Sequence, residues 1–134
     1  MKIEQSCSLD LARKLKKLGV IQESLFHWVK KWNGETGAWD LFYDGDISLD
    51  VIDEHVCAFT VAELGKLLRA DIYLESEDRM LELYEFRMDG TWGIAYHNQM
   101  IIPADYRWEF EASTEADARA KMLVYLIEHN LVNF

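Results

Sequence analysis

Over residues 114–131, TEADARAKMLVYLIEHNL, apolar residues recur at steps of three and four. That period predicts a helix with one buried face. The stripe is Ala116, Ala120, Leu123, Val124, Ile127 and Leu131, with Arg119, Lys121 and Glu128 outside it. Thr114 suits the N-cap, because its hydroxyl can accept from a free backbone N–H. Asp117, three residues on, can answer as a short capping-box acid. With Glu115 it also places negative charge at the positive end of the helix dipole. Asn130 suits a left-handed C-cap.

A similar stripe of Leu11, Leu15 and Leu18 predicts a first helix, capped by Ser8 and ended by Gly19. Thr60-Val61-Ala62-Glu63 has the spacing of a capping box and opens a helix to about Leu68. Its stripe is Val61, Leu64, Leu67 and Leu68. Gly65 lies inside it at a cost of roughly 1 kcal/mol relative to alanine, which points to close packing there.

Alternation at period two marks the strands. Residues 80–97 read as two strands joined by Asp89-Gly90, the preferred dipeptide of a two-residue hairpin turn. Leu81, Leu83, Glu85 and Arg87 fall on one face, and Glu82, Tyr84, Phe86 and Met88 on the other. A strand over 106–111 sets Tyr106, Trp108 and Phe110 against Arg107, Glu109 and Glu111. Residues 20–32 fit either period. The turn cluster at 33–37 and the strand-like 38–43 favour a hairpin, hence a strand over 24–31. Residues 44–54 read as an acidic loop. The order is helix, hairpin, helix, hairpin, strand, helix. It predicts one α+β domain over residues 1–134, with a small antiparallel sheet of about five strands and three helices.

Composition narrows the function. The chain has 134 residues with 14 basic and 24 acidic side chains, a net charge of −10. A general nucleic-acid binder needs clustered cations to displace counterions, so nucleic acid is an unlikely partner, as is an anionic membrane. Arg13, Lys14, Lys16 and Lys17 are the single basic cluster. No uncharged run approaches the ~18 residues of a membrane span, and the first residues lack the apolar stretch of a signal peptide. Cys7 and Cys57 are too few for a disulfide framework. A cytoplasmic protein with free thiols is expected.

Reactive motifs are scarce. Asp44, Asp46, Ser48 and Asp50 have the spacing that begins a calcium loop, but Leu49 stands where glycine is needed and His55 where the bidentate acid belongs. His27, His55, His97 and His129 are isolated in sequence, without zinc spacing. No metal or cofactor is expected. A cysteine with a distant histidine could form a thiol nucleophile, but any chain with these residues offers that pair. Leu15 to Lys31 has helix-turn-helix spacing around Gly19 and Leu25, with His27, Lys30 and Lys31 able to face DNA. This gives the alternative of a DNA-binding regulator. The aromatic strands offer Trp92, Tyr96, His97, Arg107 and Trp108 as a site for a planar or anionic ligand, through stacking and bidentate hydrogen bonds. The competing reading makes these aromatics core and pairs Arg107 with Glu109 or Glu111.

Three segments, LKKLGVIQESLFHWV (15–29), AFTVAELGKLL (58–68) and TEADARAKMLVYLIEHNLV (114–132), resemble a widespread family of small uncharacterised proteins encoded by bacteria, prophages and other mobile elements. They cover about a third of the chain. The resemblance carries no activity or catalytic residues. It implies a single-domain cytoplasmic accessory protein of phage origin, and the scarcity of reactive motifs adds the expectation that it acts without catalysis. Such a protein would bind a host protein or sequester a small ligand such as a nucleotide, and so counteract host defence. A homo-oligomer is compatible with that setting.

Overall fold

The computed structural model describes residues 5–31, 39–46, 52–98 and 105–132. The chain runs α1 (Leu9–Lys17), β1 (Phe26–Lys31), β2 (Trp39–Tyr43), β3 (Ile52–Cys57), α2 (Val61–Leu67), β4 (Asp71–Leu74), β5 (Arg79–Met88), β6 (Thr91–Asn98), β7 (Asp105–Ala112) and α3 (Glu115–Glu128). The α+β class and the three helices are those expected. Among the described residues the strands are seven rather than about five, and they form two antiparallel sheets, β2-β1-β3 and β4-β5-β6-β7.

The two additional strands are β3 and β4. β3 takes over residues expected to end an acidic loop, because pairing along β1 satisfies its backbone; His27 lies opposite Cys57 and Trp28 opposite Val56. β4 is only four residues long, with Ile72 buried and Tyr73 outside. Residues 26–31 form a strand, paired with β2 from Phe26↔Tyr43 to Lys30↔Trp39. The segment 15–31 is therefore the end of a helix followed by a strand, and the helix-turn-helix expectation is corrected. The turn at 33–37, with Ser48 and Asp50 of the acidic loop, lies outside the described residues.

Local chemistry sets the helix ends. Thr60 Oγ1 accepts from the Glu63 N–H at 3.2 Å, and Glu63 Oε1 accepts from the Thr60 N–H at 2.9 Å, a complete capping box. Thr114 Oγ1 accepts from the Asp117 N–H at 3.1 Å. Asp117 does not reach back to Thr114. Its Oδ1 accepts from the Ser8 N–H at 2.6 Å, which ties α3 to the start of α1. Ser8 occupies the α1 N-cap position, but its side chain makes no capping bond. Gly19 and Asn130, both at positive φ, end α1 and α3 with Val20 N–H to Leu15 O and Leu131 N–H to Leu126 O bonds.

Helix α3 packs on β6 and β7, with α1 and α2 beside it, and α1 also packs on β3. Leu15, Leu64, Leu81, Ile94, Tyr96, Met122, Leu123 and Leu126 fill the shared core. The α3 stripe is wider than its period implied: Ala118, Met122 and Leu126 are also buried, while Ile127 and Leu131 are only half-buried. Gly65 lies against Arg119, whose Nη1 occupies the space a Cβ would need. Among the described residues, no helix is long and apolar enough to cross a membrane.

Candidate functional site

Because α3, flanked by α1 and α2, packs on one side of β6 and β7, the four-stranded sheet has an inner and an outer face. Pairing fixes which residues share the outer one. Tyr73↔Met80, Glu82↔His97, Tyr84↔Ala95, Phe86↔Gly93 and Met88↔Thr91 point outward together. β7 adds Tyr106 opposite His97 and Glu111 opposite Gly93. This is the face of β5 that carries Glu82, Tyr84, Phe86 and Met88, and it is the face left open to water. Tyr73, Met80, Tyr84, Met88 and Tyr106 are all exposed.

The five residues expected to form a ligand site are split between the two faces. Tyr96 is fully buried on the inner face and donates its Oη to Arg69 O at 2.6 Å. Trp92 is half-buried on the inner side, with the Arg87 guanidinium 4.8 Å from its ring centroid. Trp108 packs edge-on to Tyr96 at 5.8 Å and against Tyr125 of α3. Arg107 forms a two-pronged ion pair with Glu77, not with Glu109 or Glu111, with Nη2 donating to Oε1 at 2.6 Å. His97 alone lies on the outer face, buried between Tyr84 at 4.7 Å and Tyr106 at 5.4 Å.

Alternation along β6 already separates His97 from Tyr96 and Trp92, and a β-bulge turns Trp108 inward as well. The register of β6 against β7 shifts between Ile94 and Tyr96, and Trp108 sits at φ +55°. One extra residue breaks strict alternation. Tyr106 is therefore outside, while Trp108 and Phe110 turn inward onto Tyr125. Sequence alternation alone had put Tyr106, Trp108 and Phe110 on one side.

The outer face carries a row of rings. Phe86 stacks on Tyr84 with centroids 5.5 Å apart and planes at 25°, and Tyr84 stacks on His97. Phe86 lies flat over Gly93, where any Cβ would overlap its ring. A groove of about 450 Å³ runs between Tyr84, Phe86, Met88, Tyr106, Glu109 and Arg87. Tyr73 donates its hydroxyl to Asp78, which holds the phenol above its ordinary titration range.

A second constellation, absent from any sequence motif, lies in the three-stranded sheet. Cys57 Sγ is 3.8 Å from His27 Nδ1, and His27 Nε2 is 2.7 Å from Asp44 Oδ1. Thiol, imidazole and carboxylate stand in the order of a thiol-nucleophile triad. The chemistry does not follow. Cys57 is fully buried, and burial, with Glu63 adding, pushes its thiol up to about 12. An attacking thiolate needs the opposite environment, electropositive and open. Cys7 is likewise buried and pushed up to about 12. His55 packs edge-on to His27 at 5.5 Å. Among the described residues, no group of histidine, cysteine and acidic side chains could hold a metal ion. No family model matches the chain, and neither does any curated protein or solved structure.

Proposed function

We propose that this protein acts by binding rather than by catalysis, with the outer face of the four-stranded sheet as its contact surface and a host protein as its partner. The observation that supports this is the exposure of Tyr73, Met80, Tyr84, Met88 and Tyr106 on one sheet face while the helices occupy the other. Large apolar and aromatic side chains gathered on one open face favour protein contact. A host protein is preferred to a sequestered nucleotide, because Arg107 is engaged by Glu77 and the aromatics beside it serve the core. The family resemblance supplies the setting of an accessory protein from a prophage or mobile element.

The test compares capture from a bacterial lysate by the wild type, by Tyr84→Ala/Tyr106→Ala and by a variant on the far side, Lys14→Ala/Lys17→Ala. The reading expects a partner retained by the wild type and the far-side variant and lost by the tyrosine variant. Equal capture by all three would overturn it.

A further inference from the structure

We infer that the outer face of the four-stranded sheet docks a protein segment rich in arginine and lysine. This rests on the reading of that face as a contact surface and gives the chemistry of what it contacts. The charge of the face is one-sided. Asp71, Glu82, Glu109 and Glu111 are all exposed among its aromatic residues. By register, no lysine or arginine among the described residues of β4–β7 takes an outward position. Arg87, which reaches the groove wall, lies over the Trp92 ring.

Asp71 and Glu82 are direct cross-strand partners, both outward and both exposed. Like charges in that position repel and weaken the strand pair. A cation placed between them removes the repulsion, so the arrangement is more favourable with a basic partner than without one. Beside it runs the row Phe86, Tyr84, His97 and Tyr106. Ring faces attract guanidinium and ammonium groups, and a guanidinium can lie flat on a ring while forking to a carboxylate. A groove of about 450 Å³ follows this row, with Tyr84, Phe86 and Tyr106 as walls, Glu109 as its anion and Arg87 at its edge. An anionic ligand, nucleic acid included, meets repulsion at each of the four acids.

The probe is a fluorescently labelled peptide alternating arginine with alanine, followed by anisotropy, with its glutamate counterpart as control. The wild type is expected to bind the arginine peptide, more weakly as salt rises, and not the glutamate peptide. Tyr84→Ala/Tyr106→Ala keeps the net charge and is expected to weaken binding about ten-fold or more, the size of a hot-spot truncation. Glu82→Gln/Glu109→Gln should weaken it similarly. Glu23→Gln/Glu128→Gln, an equal charge change off the face, should leave it unaltered. Met88→Lys puts a cation at the groove and is expected to abolish binding, which covers the case where the tyrosine variant fails to fold.

Equal weakening by the off-face pair would overturn the inference, since net charge alone then explains binding. If the lysate partner is lost on Tyr84→Ala/Tyr106→Ala but kept on Glu82→Gln/Glu109→Gln, the basic partner falls and the contact surface stands. If both variants keep it, both fall. Self-association abolished by Lys14→Glu/Lys17→Glu would replace the foreign segment with a second copy of this chain and overturn the inference in that form.

Discussion

The Arg119 guanidinium fills the space beside Gly65 that any other residue would need for its Cβ. Arg119 is fixed there, with Nε donating to Glu85 Oε1 at 2.6 Å, Nη1 to Val61 O at 2.7 Å and Nη2 to Glu115 Oε2 at 3.3 Å. Glycine inside α2 is thus the condition for joining α2, α3 and β5 through one side chain. In the wild type, Gly65→Ala should destabilise by about 1 kcal/mol, because displacing Arg119 breaks hydrogen bonds made by a charged group. In an Arg119→Ala background the same change should stabilise by up to about 1 kcal/mol through helix propensity. Thermal unfolding of the four proteins in the cycle reads the change of sign, and destabilisation in both backgrounds would contradict the packing argument.

Leu123 is fully buried and Ile127 half-buried on the same helix. Leu123→Ala should cost about 2–5 kcal/mol. Ile127→Ala should cost distinctly less, since part of its surface already meets water. Urea denaturation measures both, and a Leu123→Ala midpoint equal to the wild type would refute the core assignment.

Alkaline pH should unfold the protein early. Cys7 and Cys57 are held protonated up to about 12, and burial also raises the Tyr96 phenol. Their ordinary values are 9.0 for the thiols and 10.0 for the phenol. In the unfolded chain the thiols therefore lose protons first, so stability present below pH 9 is lost as pH rises toward 12. Melting temperature should fall from about pH 9 upward, less steeply in Cys57→Ala. Both thiols should resist a disulfide reagent in the native protein and react at once in denaturant.

The acid side depends on His55. Burial, then His27 and Lys16, hold its imidazole below the ordinary 6.5, while Asp44 acts in the opposite sense. Its Nδ1 is buried without a hydrogen-bond partner, so a proton there gains nothing to bond. Below pH 6.5 the unfolded chain takes up a proton that the native state refuses, and stability falls with pH. His55→Gln should flatten the melting-temperature profile between neutral pH and that range. A profile identical to the wild type would exclude His55 as its source.

The hairpin of β5 and β6 turns on Asp89 at φ +42° and Gly90 at φ +85°. Both angles are positive, as a two-residue type I′ turn requires. Gly90→Ala should cost about 1 kcal/mol, since alanine resists that conformation. Asp89→Gly should be close to neutral. Thermal unfolding of the two variants compares them directly.

Features decided within a few residues could be read from the sequence. Thr60 with Glu63, Thr114, Asn130 and Asp89-Gly90 act on their immediate neighbours, and each stands where its chemistry placed it. Gly65 announced close packing without naming Arg119, because the partner comes from another helix. What depends on distant pairing was hidden. The division into two sheets rests on β3 finding β1, and its acidic text concealed a strand. The bulge at Trp108 has no sequence signature, since a tryptophan at positive φ is held by its contacts rather than its own preference. That bulge sends Tyr106 outward, so the candidate face could not be assembled from alternation. His27, Asp44 and Cys57 meet only because β1 pairs with β3 and the chain turns after β2.

The bond from Ser8 to Asp117 joins residues 109 positions apart. Its effect reaches into how the protein is made. Helix α1 is synthesised early, yet one of its main supports, α3, leaves the ribosome after every strand. Until then the Leu15 side of α1 lacks the surface that α3 supplies. The apolar stripe of α1 and the inner face of β6 and β7 therefore lack that cover until α3 forms, and contacts of such high sequence separation slow folding. The Ser8–Asp117 bond therefore couples the first described helix to the last, and it waits on the formation of α3.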